Sequence, residues 1–293
     1  MCDEIMPIHM EYKDKIEKIR LKSENTCSSH AFNSIYLWQE RMGLQVVFDE
    51  DKMYAVKSSS AGENTWLFPC GSEKSIFDFI SQKMPEKSFE LCYLGKHDVD
   101  WLETNFPGKW SFNRLECDDE YICDIKEYIA LEGSKFSDMR RYVRKIDAEY
   151  DVECKSIDDS SMADAMLVVS EWQDGSHNVG ARNLTDEDVA EKALAQKDKL
   201  NISGIVMYLN NSPVSVFAGF PLSCDTVDVL IGKCTNVAPR GTIYYALREY
   251  LKRLDDRFIY CNHEEDLGIE GIRRIKNSLC PIKKNEMWEA VLK

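Results

Sequence analysis

The sequence predicts an α/β protein of two domains, each with a mixed β-sheet. Short β-branched strands alternate with amphipathic helices along the chain. One order of elements can be read twice. The 293 residues, 44% of them hydrophobic and 30% charged, are enough for two ordinary cores.

The clearer copy lies at 202–291. Ile202 to Leu209 reads as a strand, Asn210-Asn211-Ser212-Pro213 as a tight turn, and Val214 to Phe220 as the returning strand. Val227 to Gly232 gives a third strand after the break at Ser223-Cys224-Asp225. A helix over 241–254 follows, with Ile243, Ala246, Leu247, Tyr250, Leu251 and Leu254 on one buried stripe. Arg257 to Cys261 is a short strand. Ile269 to Leu279 is a helix with Ile272 and Ile275 inward, Asp266 as its cap and Pro281 as its stop. Met287 to Leu292 ends the set as a strand.

The first third repeats much of this order. Ser29 to Met42 reads as a helix, Leu44 to Phe48 and Met53 to Val56 as a hairpin, and Thr65 to Phe68 as a third strand. Glu73 to Met84 is a helix, Phe89 to Tyr93 a strand, Asp98 to Asn105 a helix, and Trp110 to Asn113 a strand. The junction falls within 115–135, near the acidic stretch Cys117-Asp118-Asp119-Glu120. The predicted domains are therefore 1–125 and 126–293.

Composition removes several function classes. No apolar run reaches the ~20 residues that cross a bilayer, and Met1 to Pro7 lacks the basic-then-apolar order of a secretory signal. A cytoplasmic location is expected. The eleven cysteines show no C-x-x-C pair, and several sit in apolar runs, which points to reduced thiols. With five scattered histidines they give no metal-ligand spacing. A net charge of −14 repels phosphate backbones, DNA included, and anionic lipid over long range, which still leaves room for a local basic groove. No Gly-x-Ser-x-Gly elbow or Walker-type loop occurs, and the neighbours Ser176 and His177 do not form a nucleophile pair.

The hairpin strands, the helix after Arg240-Gly241 and the following strand and helix resemble the GNAT acyltransferase core. The stretch Asn262-His263-Glu264-Glu265-Asp266-Leu267-Gly268-Ile269-Glu270-Gly271-Ile272-Arg273-Arg274-Ile275-Lys276-Asn277-Ser278, ending in Pro281, is narrower. With Ser29 to Trp38 and Gly133 to Tyr150, it resembles a bacterial family similar to the C-terminal domain of phosphatidylglycerol lysyltransferases. That family is similar in fold to the FemABX aminoacyltransferases, which pair two GNAT-like domains. The resemblance implies tandem GNAT-like domains and transfer of an acyl or aminoacyl group to an amine or hydroxyl. The donor it implies is acyl-CoA or aminoacyl-tRNA, as a co-substrate and not a tightly bound cofactor. The chain departs from the family pattern at three places: His263 in Asn-His-Glu, Gly232 before Lys233, and Phe220 after Gly219.

Acyl transfer needs an anchor for the donor's phosphates, a base for the acceptor, and donors for the developing oxyanion. Arg240, Gly241 and Thr242 open a helix and so offer an anion site for a donor, with Lys233 nearby. Glu264, in a run of carboxylates before the last helix, is a candidate base; His263 and Lys276 are candidate proton-transfer groups. Arg273, three residues from Lys276 on one helix face, and Asn262 are candidates for substrate binding. Trp172, before the loop Asp174-Gly175-Ser176-His177-Asn178, could line a substrate cleft or pack in the core. The basic segment Lys135 to Lys145 sets Arg140 and Arg144 beside Arg141 and Lys145, with Phe136, Met139 and Val143 inward. It could grip tRNA, or it could meet the acidic residues 118–120 and 147–153. Two functions remain open: a transferase with a small-molecule acceptor, or a non-catalytic relative that binds a small ligand or a protein partner.

Overall fold

The structure, a computed structural model, describes residues 4–175 and 187–293. Ser176, His177 and Asn178 lie outside the described residues. The chain divides into two compact units: Met1–Glu120 with Asn285–Lys293, and Tyr121–Lys284.

In the first unit, β1 (Met6–Pro7) and α1 (Lys13–Lys22) precede α2 (Phe32–Met42). The strands β2 (Leu44–Asp49), β3 (Met53–Ser58), β4 (Asn64–Leu67) and β5 (Cys70–Gly71) follow. Then come α3 (Glu73–Lys83), β6 (Phe89–Leu94), α4 (Lys96–Asn105) and β7 (Trp110–Arg114). The sheet runs β1-β2-β3-β4-β6, then the C-terminal strand Trp288–Leu292, then β7, with β5 on β3. Trp66, Phe79, Phe89, Leu91 and Trp110 fill its core. The helix expected from Ser29 begins at Phe32, because Ala31 is extended and Ser28 to His30 form a separate 3₁₀ turn.

The second unit begins with β8 (Glu120–Asp124), α5 (Ile125–Ala130), α6 (Ser137–Glu149) and β9 (Val152–Ser156). The helices α7 (Met162–Gly175), α8 (Glu187–Ala195) and α9 (Lys197–Leu200) come next. The antiparallel strands β10 (Ser203–Leu209), β11 (Ser212–Pro221) and β12 (Thr226–Cys234) lead into α10 (Thr242–Leu251). The unit closes with β13 (Tyr260–Asn262), α11 (Glu270–Ser278) and β14 (Lys283–Asn285). Its sheet order is β14-β8-β13-β12-β11-β10-β9. Met139, Val143 and Ile146 of α6 and Ala246, Leu247, Tyr250 and Leu251 of α10 share one core with the sheet. Their spacing places those side chains on single helix stripes.

Each sheet thus carries a run of four antiparallel strands and then a parallel neighbour, β6 beside β4 after α3 and β13 beside β12 after α10. The closing strands are exchanged. The strand beside β6 comes from the end of the chain, and the strand beside β13 is β8, which follows β7. Met287 to Leu292, read from the sequence as the end of the second domain, therefore belongs to the first sheet. Its apolar pattern fits a strand in either sheet, so sequence alone does not choose. Among the described residues no helix is long and apolar enough to cross a membrane.

Three local expectations change. Asp118, Asp119 and Glu120, read from the sequence as an acidic loop at the junction, are buried. Asp119 accepts from Arg114 at 2.7 Å and from the Met287 N–H at 3.1 Å, and Glu120 accepts from the Ser28 N–H at 2.7 Å. Asp266 is not the cap of α11, whose flanking residue is Ile269. Ile275 is exposed, because the last helix buries none of its residues fully.

Candidate active site

Parallel strands need a crossover, supplied here by α10 between β12 and β13. The two strands pair at Thr226 with Tyr260, Val227 with Cys261, and Asp228 with Asn262. There β13 ends, while β12 continues through residues 229–234. The corresponding pair in the first unit stays in register along all of β4. Each unit thus has a parting, one parallel strand that outruns its partner: β6 by two residues past Cys92 in the first and β12 by six residues past Asp228 in the second.

Beside the parting of β12 and β13, β12 carries a bulge opposite Gly219 of β11. Ala218 faces Ile231 and Phe220 faces Asp228, so Gly219 alone lies against Val229 and Leu230. A bulge re-aims the side chains that follow it. Glycine fits here because a Cβ on residue 219 would lie 1.9 Å from the Asp228 carbonyl oxygen.

Side-chain alternation decides what faces the parting. Val227, Val229 and Cys261 belong to the core with α6 and α10. Asp228 and Asn262, one residue along, point to the other face of the sheet. Beyond the bulge, Gly232 sits against the Phe217 ring of that same core, which puts Lys233 on the Asp228 side. There the Lys233 ammonium lies 3.5 Å from the centroid of the Trp172 ring, from α7. Both Asp228 and Asn262 are fully buried.

The turn after β13 is held by a polar network. The Asn262 side-chain oxygen accepts the Glu264 N–H at 2.8 Å. Glu264 and Leu267 adopt φ of 56° and 54°, and Gly268 has φ of 75°. Left-handed backbone at a non-glycine residue costs about 1–2 kcal/mol and persists where partners fix it. Asp266 supplies those partners. It accepts from the Tyr121 hydroxyl at 2.7 Å, the Gly268 N–H at 2.8 Å, and Arg273 at 2.8 and 3.0 Å. Burial alone would raise this carboxyl, but the bonds from Arg273, Tyr121 and Gly268 hold it below its ordinary value. Burial, and then the bond to Asp266, push the Tyr121 hydroxyl up, and the bond to Asp266 raises the Arg273 guanidinium.

Lys276, half-buried on α11, donates to the Glu265 carbonyl oxygen. Burial pushes its amine down, against the raising pull of Glu265, Glu264, Asp266 and Asp228. His263 lies elsewhere. Its Nε2 is 3.4 Å from the Cys261 sulfur, on the core face, so it is turned away from the Asp228 side.

The start of α10 is occupied by packing. Gly241 has φ of 99°, and a Cβ there would lie 2.4 Å from the Tyr142 Cβ. The Thr242 hydroxyl donates to the Pro239 carbonyl at 2.7 Å, and exposed Arg240 stands 5.5 Å from the Tyr142 ring centroid. On α6, Arg140 donates to the carbonyls of Leu131 and Gly133, and Arg144 is exposed. Arg141 pairs with Asp138 at 3.2 Å, Lys145 with Glu149 at 3.9 Å and Lys135 with Glu127 at 2.6 Å. Of the two acidic stretches expected to meet this segment, 147–153 supplies Glu149, and residues 118–120 bond elsewhere.

Of the residues singled out from the sequence, Lys233 and Trp172 meet directly, while Asn262, Glu264, Arg273 and Lys276 gather around the turn after β13. Arg240, Gly241 and Thr242 form a separate group with Tyr142. Asp228 was not singled out. Its signal was present, as a lone carboxylate within the apolar run Val227 to Ile231.

A conserved protein of unknown function from Bacteroides thetaiotaomicron has the same fold, with TM-score 0.88, 23% identity and 99% of each chain covered. L-PGS from Bacillus licheniformis gives TM-score 0.66 at 12% identity, over 95% of this chain and 91% of that one. FemX gives 0.57 at 10% identity, over 99% and 97%. At these identities the likeness is one of fold: two GNAT-like domains in tandem. A comparison with curated proteins gives no match. The profile of one family, described as phosphatidylglycerol lysyltransferase, C-terminal, matches residues 21–290, and this chain belongs to that family.

Proposed function

We propose that this protein is an aminoacyltransferase that moves an aminoacyl group onto an amine or hydroxyl at the parting of β12 and β13. The observation that carries this reading is the parting itself, where β12 runs six residues past its last pairing with β13. Beyond Asp228, residues 229–234 of β12 have no partner in β13. Their edge suits an extended amide-bearing ligand laid alongside as an added strand. Lys233, fixed against Trp172, offers a cation to the donor's anionic portion. Glu264, beside Lys276, is the group suited to take the acceptor's proton.

An aminoacyl carrier is favoured over acyl-CoA by the start of α10. A CoA pyrophosphate would need open N–H groups at that helix end. Gly241 and Thr242 are instead buried under Tyr142 and tied to Pro239. Membership in the lysyltransferase family agrees with this preference. A net charge of −14 opposes a lipid surface and a tRNA backbone alike at long range, so contact with the donor falls to local cations such as Lys233.

The test is transfer from tRNA carrying a labelled amino acid, with a soluble amine fraction and a phosphatidylglycerol vesicle as separate acceptor arms. Label should leave the RNA and enter the soluble arm. Entry into the lipid arm would keep the transferase and change the acceptor. Label released from labelled acetyl-CoA and not from tRNA would overturn the donor assignment, and no transfer from either donor would overturn the function.

A further inference from the structure

The core face of β13 carries a second group of reactive side chains. Cys123 of β8 and Cys261 of β13 stand opposite one another in an antiparallel pair, and both are free and fully buried. The Ile125 N–H donates to the Ile259 carbonyl and the His263 N–H to the Tyr121 carbonyl, two residues to either side. Cys123 and Cys261 are therefore a hydrogen-bonded pair of the ladder, with side chains on one face and Cα atoms about 5.5 Å apart. That separation lies inside the span of roughly 4.4–6.8 Å that a disulfide bridges. The Cys261 sulfur is 3.4 Å from Nε2 of buried His263 and 3.7 Å from the Cys123 carbonyl oxygen. A buried thiol among apolar groups is inert, but a second thiol and an imidazole make these surroundings different. A hydrogen bond from Cys261 pulls the Cys123 thiol down against its burial, and His263 acts in the same direction. Cys123 also lies under the turn that ends α11. Its sulfur reaches the Leu279 carbonyl at 3.7 Å, and the next residue, Cys280, is half-buried with φ of 57°.

We propose that Cys123 and Cys261 are a redox pair that hydrogen peroxide closes into a disulfide across β8 and β13, with Cys123 attacking and His263 taking the Cys261 proton. The pair holds or fails independently of the transfer reading. In the first step the Cys123 thiolate bonds to one peroxide oxygen, the O–O bond breaks, and hydroxide leaves to take up the proton that the thiol gave up. Cys123 is then a sulfenic acid. The Cys261 sulfur attacks it as Nε2 of His263 takes the Cys261 proton. The S–S bond forms, the S–O bond breaks, and the departing hydroxide receives that proton and leaves as water. Two thiols have lost two electrons, and one peroxide has become two waters. Closure fixes β13 to β8 directly before Asn262, whose side chain holds the turn after β13.

The test begins with the natural sequence. The full chain is treated with hydrogen peroxide, alkylated with N-ethylmaleimide in denaturant and digested without reduction. Mass spectrometry should find one linked peptide joining Cys123 to Cys261, absent after dithiothreitol. Alkylation of both cysteines in the oxidised sample, or a link from Cys123 to Cys280 in their place, overturns the pair. In Cys261→Ser the sulfenic acid on Cys123 should persist and be captured by dimedone, and failure to capture it in the folded variant overturns Cys123 as the attacking thiol. In His263→Gln capture at Cys123 should start as fast as before, while closure slows by about tenfold or more. Unchanged closure in that variant overturns the role of His263. The first arm needs no variant, so a substitution that fails to fold leaves the pair open to contradiction.

Discussion

The Lys233 ammonium stands 3.5 Å from the centre of the Trp172 ring, joining β12 to α7 beside the parting of the parallel strands. Lys233 is only 9% exposed, so its charge is partly desolvated and the ring face is worth more to it than at an open surface. A double-mutant cycle with Lys233→Met and Trp172→Leu, read by denaturant unfolding, should give a coupling of about 1–2 kcal/mol. Additive single effects would show that the contact contributes nothing to stability.

Gly241 combines a left-handed backbone with a close helix approach. Its φ is 99°, and an added Cβ would stand 2.4 Å from the Tyr142 Cβ. Gly241→Ala should therefore destabilise the protein by about 2 kcal/mol or more, read as a lower urea midpoint with an unchanged slope. Tyr142→Gly in the same chain, which removes the opposing Cβ, should relieve the clash but not the backbone cost. Recovery should be partial.

His30 gives the fold a pH dependence of predictable sign. Its Nε2 lies 3.1 Å from the Phe68 carbonyl, which can only accept, so that nitrogen carries the proton and Nδ1 accepts from the Ser29 hydroxyl. Burial first, then the Arg20 charge, lower its pKa to about 4, against the raising effect of the Phe68 bond. The neutral ring is the one the fold accepts. Stability from this site is complete above the unfolded value of about 6.5 and is lost as pH falls toward about 4, a total of about 3 kcal/mol. His30→Gln should flatten that limb of a stability–pH curve, and an unaltered slope there would contradict the assignment.

Asp266 acts at lower pH. Its folded pKa lies below the ordinary carboxyl value, so its contribution is present above about 4 and disappears as pH falls through the folded value. Asp266→Asn should lower stability at neutral pH and make the acid limb shallower. Arg273→Gln should reproduce part of this loss, since Arg273 is the main partner holding the carboxylate.

Much of the fold was legible because side-chain period carries it. The stripe Ala246, Leu247, Tyr250 and Leu251 and the strand runs at 203–209 and 226–234 appear where their patterns place them. The exchange of closing strands was not legible, since Trp288 to Leu292 and Glu120 to Asp124 have patterns that suit either sheet. Nor was the burial of Asp118 to Glu120, because their partners Arg114, Ser28 and Met287 are supplied by tertiary structure. At the candidate site, residue type was informative and direction was not. His263 looked like a base by chemistry, yet one residue of strand period turns it to the Cys261 side. Asp228 looked like part of a core strand, and the same period turns it to the other face.

The central claim is tested most directly by thermal unfolding against a titration of 3′-aminoacylamino-3′-deoxyadenosine, a stable mimic of the aminoacyl end of tRNA, with acetyl-CoA in parallel. The account predicts a saturable rise in melting temperature with the aminoacyl mimic, lost in Lys233→Met and in Lys276→Met, and no rise with acetyl-CoA. A saturable rise with acetyl-CoA alone, or with neither compound, would contradict it.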